Sequence, residues 1–235
     1  MRFLFVLSFI LFLSSCEDKK TSKQSTTTET KESFVPESIP QVENKKKAKP
    51  EYPVLSDDNA MEFFLDYSKT HEENKVRIST DFGTIDILLY DKTRFHRANF
   101  VYLTKRKYFD GTQFYRVVKN FVIQGGSSDD YNIAKRRKKI GKYLLPPDTK
   151  RGYTHKRGAI SMPSSEIENA YKLASPFQFF IVQRQGGAQY LDGDYTVFGE
   201  VVEGMDVVDK IADVETDEGE WPLKNVYIRK VELID

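Results

Sequence analysis

The chain is predicted to fold as a mainly β protein: a closed eight-stranded antiparallel β-barrel capped by two α-helices, with an N-terminal helical extension. Three observations point there. From about Leu55 onward, short runs of alternating apolar residues recur, about eight in all, bounded by Gly, Asp, Pro or Ser clusters. Few stretches carry helical spacing, and no series of long parallel crossovers separates the strands. A sheet of that size without crossovers favours closure, because a closed barrel has no exposed edges. A sandwich is the alternative that the pattern leaves open.

In "DNAMEFFLDY" Met61, Phe64 and Leu65 fall at helical spacing, which predicts a short amphipathic helix laid against the folded domain C-terminal to it. "VRIST" and "TIDILLY" alternate with period two around "DFG" and read as a hairpin, with Val76, Ile78 and Thr80 on one face and Ile85, Ile87 and Leu89 on its partner. "TRFHRANFVYLTKR" sets His96, Phe100 and Leu103 on one helical face, and its basic last turn complements the helix dipole. His96 is expected to be half buried there. Short strands are predicted near 113–118, 121–125, 158–163, 178–183 and 195–201. In "GMDVVDKIADV" Val207, Ile211 and Val214 share a helical face. "VYIRKVELI" closes the chain as a strand whose alternation changes phase at Arg229 and Lys230, the mark of a bulge.

The N-terminus belongs to a different class of segment. "MRFLFVLSFILFLSSC" has one basic residue, an apolar run from Phe3 to Leu13 and small residues before Cys16. That run is too short to span a bilayer and has the order of an export signal. "LSSC" resembles a bacterial lipobox, in which the cysteine is acylated. Cys16 is the only cysteine, so no internal disulfide competes for it. An ordinary secretory signal with an incidental cysteine is the alternative. Residues 17–53 are rich in Lys, Thr, Ser, Glu and Pro and poor in core-forming side chains, the composition of a disordered tether. The expected organisation is therefore a lipoprotein signal peptide at 1–15, a tether at 16–54, a helical extension at 55–74 and one folded domain at 75–235. Lysine and arginine number 36 against 35 acidic residues, with the signs interspersed, so the overall charge gives no sign of nucleic-acid binding.

The chemistry lies in "FYRVVKNFVIQGG". If the chain reverses near Asn120, antiparallel pairing sets Val118 opposite Val122 and Arg116 opposite Gln124, with Cβ atoms roughly 4.5 to 5.5 Å apart. A fixed guanidinium would then lie beside an amide. An arginine that merely covers a surface strand has the same spacing.

Four segments, "FDGTQFYRVVKNFVIQGG" at 109–126, "GAISM" at 158–162, "SPFQFFIV" at 175–182 and "YLDGDYTVFGEVVEGMDVV" at 190–208, together resemble the cyclophilin family of peptidyl-prolyl isomerases. The similarity runs from about Lys75 to the C-terminus in the family's order. It implies the barrel fold and a prolyl isomerase acting on proline-containing peptides, here unfolded exported proteins, without cofactor or metal. It also implies residue roles. Arg116 falls on the family's catalytic arginine, Gln124 on the glutamine beside it, and Phe121, Val122, Phe180 and Leu191 on the walls of the proline pocket. Gln178 falls on a glutamine of the neighbouring groove. Ser164 stands where many members bind substrate backbone through asparagine, with Pro163 before it. Tyr190 replaces the tryptophan associated with cyclosporin binding, so weak inhibition by that drug is expected, and Tyr195 replaces a histidine found in some members.

The resemblance leaves two competitors to a membrane-anchored folding helper at the bacterial cell envelope: a noncatalytic peptide-binding module using the same groove, and an envelope protein whose barrel is only an interaction surface. A monomer is expected. The segment "SSDDYNIAKRRKKIGKYLLPPD" replaces a glycine-rich loop of the family and is read as a solvated loop, with five consecutive basic residues from Lys135 to Lys139. Contact with anionic head groups or an acidic client is the sharper alternative for it. "PSSEIENAYKLASP" is expected to form part of the groove rim.

Overall fold

A computed structural model of the chain describes residues 52–164 and 169–235. The expected signal peptide, Cys16 and nearly all of the expected tether lie outside the described residues.

The barrel is closed. Its strands are β2 (Lys75–Thr80), β3 (Gly83–Leu89), β4 (Gln113–Val118), β5 (Val122–Ser127), β7 (Ala159–Ser161), β8 (Phe179–Val182), β9 (Val197–Glu203) and β10 (Val226–Leu233), in the order β10-β2-β3-β9-β7-β8-β5-β4. Every pairing in it is antiparallel. The β2–β3 hairpin has the predicted inward faces, since Val76, Ile78, Ile85, Ile87 and Leu89 are all buried. Outside, Arg77 and Asp86 are direct partners across the register and share two hydrogen bonds of 2.7 and 2.6 Å. That pairing holds the Asp86 carboxyl below its usual range. The β10 register shifts between Ile228 and Lys230, which is the expected bulge.

Helix α2 (Arg94–Lys105) closes one end of the barrel, and α4 (Met205–Ala212) packs with β3, β4 and β5 through Val207, Val208 and Ile211. The N-terminal helix α1 (Ala60–Thr70) lies on the outer side of α2. Tyr52, Phe63, Phe64 and Tyr67 surround Tyr102 with ring centroids 5.1 to 5.8 Å away. Packing on both sides explains why α2 is buried without interruption from His96 to Thr104. His96 is therefore not half buried as its sequence suggests. It faces the barrel, fully buried, with its ring 6.2 Å from that of Phe198.

The segment read as a solvated loop is a helix, α3 (Tyr131–Ile140). Asp130 caps it, its carboxylate accepting the Asn132 amide at 2.6 Å, while Ile133 and Ile140 are buried beneath it. Arg136 donates to the carbonyl oxygens of Lys107 and Asp110, and Arg137 lies 4.8 Å above the Phe177 ring. Two of the five basic residues are thus tied to the fold. The described residues hold four α-helices, one more than the extension and two caps predicted. After α3, β6 (Gly141–Lys142) pairs in parallel with β1 (Leu55–Ser56), fastening the start of the extension. A Cβ on Gly141 would collide with the Leu55 backbone, and its φ is +132°, so only glycine fits that approach.

Candidate active site

The site is built on the β4–β5 hairpin. Asn120 turns it with a left-handed φ of +59°, which asparagine tolerates better than most residues. The register then runs as the sequence predicts, with Val118 opposite Val122 and Arg116 opposite Gln124. One residue further it changes. Phe114 pairs with Gly125, leaving Tyr115 as an extra residue on β4. The bulge lets Phe114 and Val117 both point into the core while Tyr115 and Arg116 between them are only partly buried. Gln124 donates from Nε2 to the Tyr115 hydroxyl, and Arg116 Nη2 lies 2.6 Å from Glu220 Oε2.

Beside this pair, Arg116, Phe121, Val122, Gln124, Pro163, Phe180, Leu191 and Tyr195 line an open pocket of about 250 Å³. Its walls are mostly apolar, with Arg116 and Gln124, direct register partners, among the polar residues that line it. Of the remaining predicted residues, Tyr190 stacks on Phe121 with ring centroids 5.9 Å apart, is largely exposed and is not part of the pocket lining. Ser164 and Gln178 are partly exposed and lie outside the pocket lining. Pro163, noted in the sequence only as the residue before Ser164, is the one of that segment which reaches the pocket. Residues 165–168 of the expected rim are outside the described residues.

A layer beneath the walls fixes them, and the sequence gives little sign of it. The Phe121 carbonyl accepts from the amides of Gln183 and Arg184, and the Gln183 side chain joins the Asn120 amide at 3.0 Å to Asp209 at 2.8 Å. Arg157 binds the same Asp209 carboxylate at 2.6 Å. Behind Phe180, the buried His155 ring stacks at 5.8 Å, with Nδ1 2.6 Å from Asp192 Oδ1 and Nε2 3.1 Å from Ser161 Oγ. The Ser161 hydroxyl also reaches the Thr196 carbonyl at 2.8 Å. Burial holds the His155 pKa below its ordinary value, against the opposing pull of Asp192. Asp192 and Thr196 flank the segment that carries Tyr195, and Asp192 comes directly after Leu191, so this network ties three walls together. The only signal for His155 in the sequence is its place just before "GAISM".

The arrangement offers one fixed cationic donor at the edge of an apolar pocket. Among the described residues, no nucleophilic serine, cysteine or lysine lines it, and no cluster of His, Cys, Asp or Glu could hold a metal ion. Such a site can bind a small apolar ring and aim a hydrogen bond at a group attached to it.

The chain's fold and motifs define a known class. A family model described as cyclophilin type peptidyl-prolyl cis-trans isomerase/CLD matches residues 75–233, and the chain belongs to that family. A peptidyl-prolyl cis-trans isomerase-like 2 of Rhizopus delemar is 34% identical over 71% of this chain and 30% of its own length. A peptidyl-prolyl cis-trans isomerase of Acinetobacter baylyi is 34% identical over 60% of this chain and 73% of its own. The match thus spans under a third of the first relative and nearly three quarters of the second. A crystal structure of a cyclophilin type peptidyl-prolyl cis-trans isomerase from Cryptosporidium parvum has the same fold, with a TM-score of 0.58 at 23% identity over 69% of this chain and 98% of that one. The same protein has also been solved in the presence of the dipeptide Ala-Pro.

Proposed function

We propose that the chain accelerates cis-trans isomerisation of X-Pro bonds in polypeptides. The observation that carries this reading is the Arg116–Gln124 pair set across one register position at the lip of an apolar pocket. An X-Pro bond resists rotation because the nitrogen lone pair is shared with the carbonyl, giving a barrier of about 18 to 20 kcal/mol. With the proline ring held between Phe121, Val122, Phe180 and Leu191, the Arg116 guanidinium donates toward the prolyl nitrogen. As the bond twists, the lone pair localises and accepts that donation, so the twisted state gains more than the planar one. Moving the reaction from tens of seconds to milliseconds takes about 5 to 7 kcal/mol, a scale that one aimed charge and a fixed ring approach together. The Ala-Pro dipeptide used with the similar Cryptosporidium protein suits a pocket of this kind.

The clients on this reading are unfolded exported proteins, and the chain works from a bacterial envelope membrane through a lipid on Cys16. The "LSSC" motif and the absence of any other cysteine support that anchor. A tether of about 40 residues behaving as a coil would span roughly 35 Å, enough to let the groove sample chains near the bilayer. The test of the activity is protease-coupled isomerisation of an X-Pro peptide by the purified full-length chain. Arg116→Ala is expected to lower turnover about tenfold or more while leaving the fold intact. Normal rates in that variant would show that the mechanism is wrong.

A further inference from the structure

We infer that Glu220 is a positioning residue for Arg116, holding one edge of the guanidinium so that the rest is presented to the pocket. The inference deepens the isomerase reading and rests on it. It begins with the bulge at Tyr115. Strand β4 pairs with β10 only through Gln113 and Phe114, and past that point the turn from Glu215 to Leu223 covers its outer side. The Val117 amide, next to Arg116, donates to the Glu220 carbonyl at 2.9 Å.

The turn is tightly made. Glu220 N donates to the Asp217 carbonyl and Asp217 N to the Trp221 carbonyl, while Asp217 Oδ1 accepts from the amides of both Gly219 and Trp221 at 2.9 Å. Thr216 and Pro222 bridge its base. Within it Glu220 has a φ of +66°. Hairpin loops of this length often need one left-handed residue before the returning strand, and glycine supplies it without steric cost. Here the glycine, Gly219, stands one position too early and has no left-handed φ, while a glutamate takes the costly position. Such a conformation carries a strain cost for a non-glycine residue; Lys107, Asn120 and Lys172 share it, but among the four Glu220 is the one whose side chain meets Arg116.

The side chain gives the use. Glu220 Oε2 lies 2.6 Å from Arg116 Nη2, and among the described residues Glu220 is the side chain that pairs with Arg116. Gln124, the neighbour on β5, spends its amide on Tyr115 instead. A guanidinium has five donors in a rigid planar fork, so an ion pair at one nitrogen restricts where the others can point. The two side chains are 35% and 40% exposed, which limits what the pair adds to stability. Its effect falls on orientation.

The experiment compares Glu220→Gly, Glu220→Gln and Arg116→Ala, with the Arg116→Ala/Glu220→Gly double variant, in full-length protein. Turnover and KM come from protease-coupled isomerisation, and Tm from thermal unfolding. Glu220→Gly is expected to lower kcat about three- to tenfold with KM within about twofold, and to leave Tm unchanged or raised because the left-handed φ is relieved. Glu220→Gln, which keeps an acceptor, should restore part of the lost kcat. In the Arg116→Ala background the glycine substitution should have no further effect. An unchanged kcat in Glu220→Gly, a parallel loss of Tm, or an equal loss of activity in the Arg116→Ala background overturns the positioning role. If Arg116→Ala itself retains full activity, the isomerase mechanism falls first and this role falls with it.

Discussion

Arg116 owes its direction to one inserted neighbour. Without the bulge at Tyr115, strict alternation inward from Val117 would leave Phe114 facing outward and pull the large aromatic out of the barrel core. The residues around it divide the labour by burial. Phe121 is a partly buried wall, stacked by Tyr190 and held through its carbonyl, so Phe121→Ala should weaken substrate capture and also lower stability by about 1 to 2 kcal/mol. A rise in KM together with a lower denaturation midpoint checks this; a fully stable, fully active variant contradicts the wall. His96 lies outside the pocket lining and bears on stability. It is wholly buried, neither ring nitrogen has a partner among the described residues, and burial lowers its pKa to about 3. The unfolded chain binds a proton at His96 near pH 6.5, and the folded chain does so only near 3. Between those values the unfolded state therefore binds more protons, and stability falls by about 1.4 kcal/mol for each pH unit of acidification once below 6.5. Above pH 6.5 the contribution is fully present. His96→Phe should flatten the acid limb of Tm against pH relative to wild type, and an unchanged slope would sink the assignment.

At the scale of elements, helix α3 depends on its first turn. Asp130→Ala removes the cap on the Asn132 amide and should cost about 1 kcal/mol, read as a shift in the denaturation midpoint with little change in turnover. The same helix marks the limit of what the sequence revealed. Its buried residues, Ile133 and Ile140, are seven apart, and the positions between them are mostly charged, so no apolar stripe announced it. The β2–β3 hairpin, α2, α4 and the β10 bulge were legible because each repeats a period several times within one segment. So was the Arg116–Gln124 pairing, which needs only the turn at Asn120 and arithmetic. The Tyr115 bulge was hidden because Phe114 and Tyr115 are both aromatic and give no polar mark of which one turns outward. Glu220 was hidden for a different reason: it meets Arg116 across about a hundred residues of chain, through a turn whose backbone conformation belies its residue type.

At the scale of the whole molecule, strand number, antiparallel sense and closure were all legible, closure because an open sheet of that size would leave exposed edges. The register between β10 and β4, which joins the last strand to the middle of the chain, is the pairing that achieves it. Full-length protein is expected to fractionate with membranes, and Cys16→Ala to block fatty-acid labelling without altering isomerase activity. Mass spectrometry of the mature N-terminus checks it, and recovery of an unmodified soluble protein cut elsewhere would leave a secreted isomerase. Closure has a further consequence for a protein proposed to live among unfolded chains. An open sheet would offer its rim of free amides and carbonyls to any extended visitor, which could zip on as another strand and stay. Here the barrel presents no such rim, and the turn around Glu220 shields β4 where its pairing with β10 stops. A visiting chain is left with a side-chain pocket and a few hydrogen bonds. On the isomerase reading, a grip of that kind lets the visitor go instead of weaving it into the barrel wall.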